Sequence, residues 1–203
     1  EKKNNENELL LKELHHRVKN NLQVIYSLIN LQKRRIDSPE LHQSLSMVQN
    51  RIKTMSLVHQ NLHENENFKE VNLEAYVKTI ADYLKLLYLN EDKEISIQLS
   101  VDESIEFIMD RAITIGLLIN EIMSNSMKYA FKGRKKGNIS IDVQKIHNGF
   151  QMKISDDGIG FSMDQVNSKS LGMYLIENLV KQIQGKYELE QNEGTTYIIY
   201  FNA

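Results

Sequence analysis

The chain contains no cysteine. That excludes disulfides, thiolate metal sites and a cysteine nucleophile, and it fits a reducing compartment. It contains a single proline, Pro39, in the segment Asp37-Ser38-Pro39. It lacks an excess of either charge: 25 Lys and Arg stand against 27 Asp and Glu, a net charge of −2 and a pI of about 6.4. Nothing in that balance calls for nucleic acid or an anionic membrane surface as a partner. No apolar run approaches the roughly 20 residues needed to span a bilayer, and there is no secretory signal pattern. The first residue is Glu1 rather than Met, so a piece of a longer protein is expected, with any sensory or membrane part outside it. What is present is an ordinary soluble composition, 41% hydrophobic and 26% charged over 203 residues, enough for one or two domains.

After a polar start, Leu11, Leu14, Val18, Leu22, Ile25 and Leu28 or Ile29 recur at threes and fours. This spacing predicts one long amphipathic helix ending near Ile36. Pro39 suits the first turn of a second helix, with Ser38 as its N-cap. There Leu41, Leu45, Val48, Ile52, Met55 and Leu62 form a heptad stripe that also carries His59, read as a packed residue rather than a ligand. A single helical hairpin covers both stripes poorly. Two copies would make a four-helix bundle, so a homodimer is expected.

Residues 63–70 are polar and aperiodic and read as a linker, dividing the chain into domains at 1–66 and 67–203. In the second domain Asn72 can cap a helix to about Leu89, with Leu73, Val77, Ile80, Leu84 and Leu87 on one face. Ile95, Ile97 and Leu99 alternate as a strand, and 107–109 reads as a short one. Asp110 is expected to cap an apolar helix to about Phe131, followed by a basic loop at 132–136 that reads as a solvated turn. Ile139, Ile141 and Val143 alternate, His147-Asn148-Gly149 makes a hairpin turn, and the strand 150–156 follows. A helix from Leu171 to Gln184, stopped by Gly185, and two closing strands at 187–190 and 197–201 complete a mixed sheet with helices on one face.

Several segments carry chemistry. Glu13-Leu14-His15-His16-Arg17-Val18-Lys19 places His16 away from the apolar stripe, among Lys12, Glu13, Lys19 and Asn20, while His15 sits at its edge. An exposed imidazole can be a nucleophile toward a phosphoryl group, with Arg17 or Lys19 offsetting charge; two solvated helix residues are the bland alternative. On the apolar helix Glu121, Asn125 and Lys128 fall at i, i+4 and i+7 beside Asn120. That face can hold a hydrated Mg²⁺ and a triphosphate, or be a plain polar stripe. Asp156-Asp157-Gly158-Ile159-Gly160 puts a carboxylate at a strand end, followed by backbone that a purine can approach closely, or is an ordinary turn. Leu171-Gly172 opens a helix whose free N–H groups suit phosphate, and Gly194-Thr195-Thr196 returns to the sheet with two hydroxyls.

Taken in order, Asn120-Glu121…Asn125…Lys128, Asp156…Gly158…Gly160, Leu171-Gly172…Leu175 and Gly194-Thr195-Thr196 resemble the four nucleotide boxes of histidine-kinase catalytic domains, members of the gyrase, Hsp90, histidine kinase and MutL ATPase superfamily. The run His15-His16-Arg17-Val18-Lys19-Asn20-Asn21-Leu22-Gln23 resembles the phosphoacceptor box of one sensor-kinase subfamily. The likeness extends from about Leu9 to Phe201. It implies a dimeric four-helix bundle followed by a two-layer α/β sandwich of the Bergerat type, overall α + α/β. It also implies ATP and Mg²⁺ as ligands and a response-regulator receiver domain as partner, with no nucleic acid.

Residue by residue, the resemblance makes His16 the phosphoacceptor, Asn125 the Mg²⁺ ligand, and Lys128 and Tyr129 phosphate contacts. Asp156 becomes the adenine-binding carboxylate, Gly158 and Gly160 the hinge of the ATP lid at 161–170, and Gly172 its far end. Thr195 and Thr196 lie near the nucleotide, and Glu121 stands where superfamily ATPases keep a general base. Three departures are visible: Arg17 follows the acceptor where other sensor kinases have an acid, which leaves Glu13 and Glu121 as candidate bases; Ser126 replaces an alanine; and Lys169-Ser170 stands where a glycine opens the third box. The implied activity is histidine autophosphorylation and transfer to an aspartate, with an ATP hydrolase or a non-catalytic dimeric adaptor as alternatives.

Overall fold

A computed structural model describes residues 2–64, 70–89, 93–160, 171–191 and 193–202, with the backbone alone for 2–9, 11 and 60–64. The expected 1–66/67–203 boundary, most of the linker at 63–70 and the lid at 161–170 lie outside the described residues. The chain forms two compact units, one of 1–71 with 106–113, the other of 72–105 with 114–203.

The first unit contains α1 (Lys2–Lys33) and α2 (Pro39–Glu64). α1 is helical well before the first apolar residue of its stripe and ends three residues before Ile36. The chain then turns through Arg35 N–H to Gln32 C=O at 3.0 Å. Pro39 opens α2 with its missing N–H at no cost, and the Ser38 hydroxyl accepts from Leu41 N–H at 3.4 Å, as a cap should. Between the helices the Lys33 ammonium donates to Ser46 Oγ at 2.7 Å and Gln49 Oε1 at 3.1 Å. The heptad stripe of α2 is only partly covered. Leu41 and Val48 are exposed, whereas Gln49, Asn50, Thr54, Leu57, Val58 and His59 are buried. On α1, Leu14, Ile25 and Leu28 are likewise exposed. The physical reason is geometric: one hairpin offers each helix a single neighbour, which covers a narrower arc than the apolar stripe.

The second unit is built on a five-stranded sheet of order β2-β4-β5-β7-β6. The strands are β2 (Glu94–Val101), β4 (Lys136–Ile146), β5 (Gly149–Asp156), β6 (Lys186–Glu190) and β7 (Thr195–Phe201). β2 runs parallel to β4, and the other pairings are antiparallel. Short strands β1 (Glu70–Asn72) and β3 (Glu106–Ile108) pair separately. Inward rows Ile139, Ile141 and Val143 on β4, Met152 and Ile154 on β5, and Tyr197, Ile199 and Phe201 on β7 are buried at the period of two. They meet Leu73, Val77, Ile80 and Leu84 of α3 (Leu73–Tyr88), Ile115, Leu118, Ile119 and Ile122 of α4 (Met109–Asn125), and Ile176 and Val180 of α5 (Leu171–Gln182) in one apolar core. Each such side chain contributes about 1.5–3 kcal/mol when fully buried. Asn72 caps α3, its side chain accepting from Ala75 N–H at 2.9 Å.

Four local expectations are corrected. Leu87 is exposed because α3 outlasts its contact with the core. Asp110 lies in the first turn of α4 rather than capping it, where its charge still favours the helix N-terminus. α4 does not run on to Phe131; at Ser126 it widens into a π turn through Ala130. α5 is stopped by Gln184, not Gly185: Gln184 takes φ 54° and its N–H bonds Lys181 C=O, while Gly185 N–H reaches back to Val180 C=O, a Schellman closure. Gly185 serves a different need, since a Cβ there would lie 2.7 Å from Tyr200 C=O.

Candidate active site

Two features of α1 bear on the acceptor. His15 is 8% exposed and its ring lies 5.5 Å from that of buried His59, while His16, one residue on, is exposed. Burial, then the neighbouring His16, pushes the His15 imidazole below its ordinary 6.5. Glu13 and Arg17 flank His16, and Arg17 Nε donates to Glu13 Oε1 at 2.8 Å on the solvent side. That bond engages one of the two candidate bases.

In the second unit the inward row of β5 ends in a carboxylate. Asp156, 6% exposed, follows Met152 and Ile154 on the row that faces the helices. Its Oδ1 accepts from Gly158 N–H at 3.1 Å and Thr195 N–H at 3.3 Å. Its Oδ2 accepts from the Ser126 hydroxyl at 2.7 Å. Ser126 continues the sheet-facing row of Ile115, Ile119 and Ile122 at helical spacing, so an apolar row on α4 and one on β5 both end in a polar residue, and the two residues pair. Three donors hold this buried carboxylate in one orientation.

The glycines are fitted to this corner. Gly158 lies against Ala130, with no room for a Cβ between them, and the next residue, Ile159, donates its N–H to Ala130 C=O at 2.9 Å. Gly194 has φ +105° and packs on the carbonyl of Asp156. Gly160 has φ +65°, and a Cβ on it would meet Gly194 C=O at 3.3 Å. Gly172 opens α5 beside α4: a Cβ there would stand 3.1 Å from Glu121 Oε1 and 3.6 Å from Asn125 Nδ2. Glu121, Asn125 and Gly172 are therefore brought together, with Glu121 buried and Asn125 half-buried.

Other residues lie elsewhere. Lys128 and Tyr129 belong to the π turn, which breaks the helical spacing that would have aligned Lys128 with Glu121 and Asn125. The Lys128 ammonium sits 5.6 Å over the Tyr88 ring, and exposed Tyr129 faces Lys132 at 5.1 Å. Thr195 shares the inward row with Asp156. Thr196, one residue on, alternates to the opposite face, where its hydroxyl bonds Ser155 Oγ at 3.0 Å. In the basic loop, Arg134 donates to Asp157 C=O at 2.8 Å and so has a structural anchor. Asp157, beside the key carboxylate, accepts from Asn138 N–H at 2.7 Å and closes the strand end.

Two residues make contacts at the site that the sequence reading did not assign to them. Ser126 was legible, since its place on the α4 row follows from spacing. Tyr197 looked like plain core. Its hydroxyl donates to Met173 Sδ at 3.3 Å, joining β7 to the first turn of α5. Burial, then Tyr187, Asp156 and Glu121, push its hydroxyl well above the ordinary tyrosine range.

Residues 13–88 match the family model described as histidine kinase, and residues 110–203 match that of the histidine kinase-, DNA gyrase B- and HSP90-like ATPases. The chain belongs to the histidine kinases. Its resemblance to the sensor histidine kinase PdtaS of Mycobacterium tuberculosis is 30% identity over 84% of this chain and 34% of that kinase. A blue-light-activated histidine kinase of Erythrobacter litoralis is 26% identical over 92% of the chain and 54% of its own length. The solved histidine kinase domain of Erythrobacter litoralis EL346 superposes with a TM-score of 0.69 at 25% identity, covering 94% of this chain and 92% of that one. The chain spans about a third of the length of the first curated relatives it matches. The α + α/β architecture read from the sequence stands. Among the described residues no helix is long and apolar enough to cross a membrane.

Proposed function

We propose that this chain is the catalytic core of a sensor histidine kinase that transfers the γ-phosphoryl of ATP to His16 and then to an aspartate of a response-regulator receiver domain. The observation that carries the reading is that one chain joins an exposed imidazole on a helical hairpin to an ATPase-family unit whose buried carboxylate is held by three donors.

Asp156 binds the adenine amine, and the N-terminus of α5 at Gly172 receives the phosphates, where free N–H groups favour anions. Lys128 and Tyr129 would have to turn from their present contacts to serve the phosphates; Gly158 and Gly160 hinge the lid, and Thr195, on the face of Asp156, rather than Thr196 on the opposite face, completes the last box at the nucleotide. Asn125 is the protein ligand for Mg²⁺; its amide lies at the α5 N-terminus, where phosphate oxygens and waters would supply the remaining ligands. When bound, Mg²⁺ offsets charge on the phosphates. The unprotonated ring nitrogen of His16 attacks phosphorus, the bond to ADP breaks, and the proton on the other nitrogen passes to a base. The candidates are Glu121, buried beside Gly172, and Glu13, which Arg17 engages. Catalysis is mostly positioning. The exposed apolar residues of α1 and α2 support a homodimer closing a four-helix bundle; domains near 1–66 and 67–203, an upstream sensory domain and a cytoplasmic location belong to the same proposal.

Incubation with Mg²⁺ and γ-labelled ATP tests this. Acid-labile, alkali-stable label lost in His16→Ala and retained in His15→Ala is expected. Label lost only in His15→Ala moves the acceptor by one residue. Free phosphate without protein label favours the hydrolase with Glu121 as base, and ATP binding with neither product favours the adaptor.

A further inference from the structure

Each carboxylate oxygen has two lone pairs. At Asp156, Gly158 and Thr195 N–H groups take both of those on Oδ1, and the Ser126 hydroxyl takes one on Oδ2. Among the described residues this leaves a single acceptor position on the carboxylate. The Ser126 hydroxyl has one proton, committed to the charged oxygen at 2.7 Å, so its own oxygen presents lone pairs only. Two acceptor oxygens therefore stand side by side where α4 meets β5, with the Thr195 side chain on the same inward row of the sheet. Both are more than nine-tenths buried, at 7% and 6% exposure, so their orientation is fixed before any ligand arrives.

We propose that Ser126 is a specificity-determining residue of the nucleotide site: its hydroxyl takes one lone pair of Asp156 Oδ2 and so aims the last one at the base, and the pair selects a 6-aminopurine over a 6-oxopurine. One N–H of a 6-amino group donates to that lone pair. A 6-oxo oxygen would face two acceptors with no proton between them. With alanine at 126 the carboxylate loses its side-chain donor, keeps only its backbone bonds and turns more freely at Oδ2. The inference rests on the reading of Asp156 as the base-binding carboxylate.

The test is direct titration of the Mg²⁺-containing protein with ATP, with purine riboside triphosphate, which lacks the amine, and with GTP. The wild type is expected to prefer ATP over the amine-free analogue by on the order of 30-fold, as for a hydrogen bond to a charged group. In Ser126→Ala, and in Ser126→Cys, which keeps the volume but donates weakly, that ratio falls to about threefold and GTP gains on ATP. A residue that merely supports the fold would weaken all three nucleotides alike, so an unchanged ratio in both variants overturns the proposal. Asp156→Asn separates the two layers. If it binds ATP as the wild type does, and the wild type ignores the amine, the Asp156 reading fails and Ser126 with it. If Asp156→Asn loses ATP but the Ser126 variants keep the ratio, only the Ser126 proposal fails.

Discussion

Replacing Gly172 with alanine should weaken ATP binding while leaving the fold nearly as stable. The structure sets both signs. A Cβ at 172 stands 3.1 Å from Glu121 Oε1, tighter than ordinary contact, and 3.6 Å from Asn125 Nδ2, an ordinary one. The crowding falls on the end of a side chain, which can move a few tenths of an ångström at a cost of about 1 kcal/mol or less. Against this, alanine in a helix gains about 0.5–1 kcal/mol over glycine, less in the first turn than in the interior. The two effects nearly cancel, so the thermal midpoint should shift by no more than about 2–4 °C for a chain of this size. Binding has no such compensation. The added methyl occupies the gap between the α5 N-terminus and the Glu121–Asn125 pair, where the proposed function brings main chain to the phosphates. A misplaced phosphate contact of this kind costs about 1.4 kcal/mol, a tenfold rise in Kd for ATP. Calorimetric titration beside thermal melts reads both quantities. Binding within twofold of wild type would show that the gap is not the phosphate site. A loss of more than about 3 kcal/mol in stability would show that Glu121 cannot yield and that the contact belongs to the core.

Three further outcomes are expected. Gly158→Ala drives a methyl into the side chain and carbonyl of Ala130; since backbone cannot step aside, denaturant melts should show a loss of about 1–3 kcal/mol, and a wild-type melt would refute the packing. Tyr76 and Tyr197 hold their protons more tightly folded than unfolded, because burial raises both above the ordinary 10.0; their contribution is level below about pH 10 and falls above it, so the thermal midpoint should drop on the alkaline side, less steeply in Tyr197→Phe. His15 is pushed below 6.5, so its contribution is complete above that pH and lost as pH falls; the acid-side decline of helical-hairpin stability should be shallower in His15→Leu, and an unchanged slope would remove His15 as a cause.

Much of the fold was legible because it rests on periodicity. The inward rows of β4, β5 and β7 alternate in the sequence as they do in the sheet, and the Ser38 and Asn72 caps follow from local chemistry. What was illegible depended on what lies opposite. The heptad stripe of α2 looks uniform in sequence, yet Leu41 is exposed and Thr54 buried, because the partner helix and not the pattern decides which arc is covered. Gly185 looked like the helix stop. Gln184 took the left-handed position instead, since the approach of Tyr200 C=O left no space for a side chain at 185. Thr195 and Thr196 are equivalent as letters, and strand alternation alone sends one inward to Asp156 and the other outward to Ser155.

The π turn at 126–130 is where these strands of argument meet. A sequence read at 3.6 residues per turn puts Lys128 on the face of Glu121 and Asn125; the widened turn sends its ammonium over Tyr88 instead. π turns are strained and persist where something holds them. Here the two ends are tied to the same strand exit: Ser126, at its start, donates to Asp156, and Ala130, at its end, accepts from Ile159 and packs on Gly158. The helix that carries Glu121 and Asn125 and the segment that carries Asp156 are thereby fixed to each other through five residues. On the roles proposed for Gly158 and Asn125, a displacement of one should reach the other through that turn, and a substitution at either end should perturb ATP binding even where it touches no nucleotide.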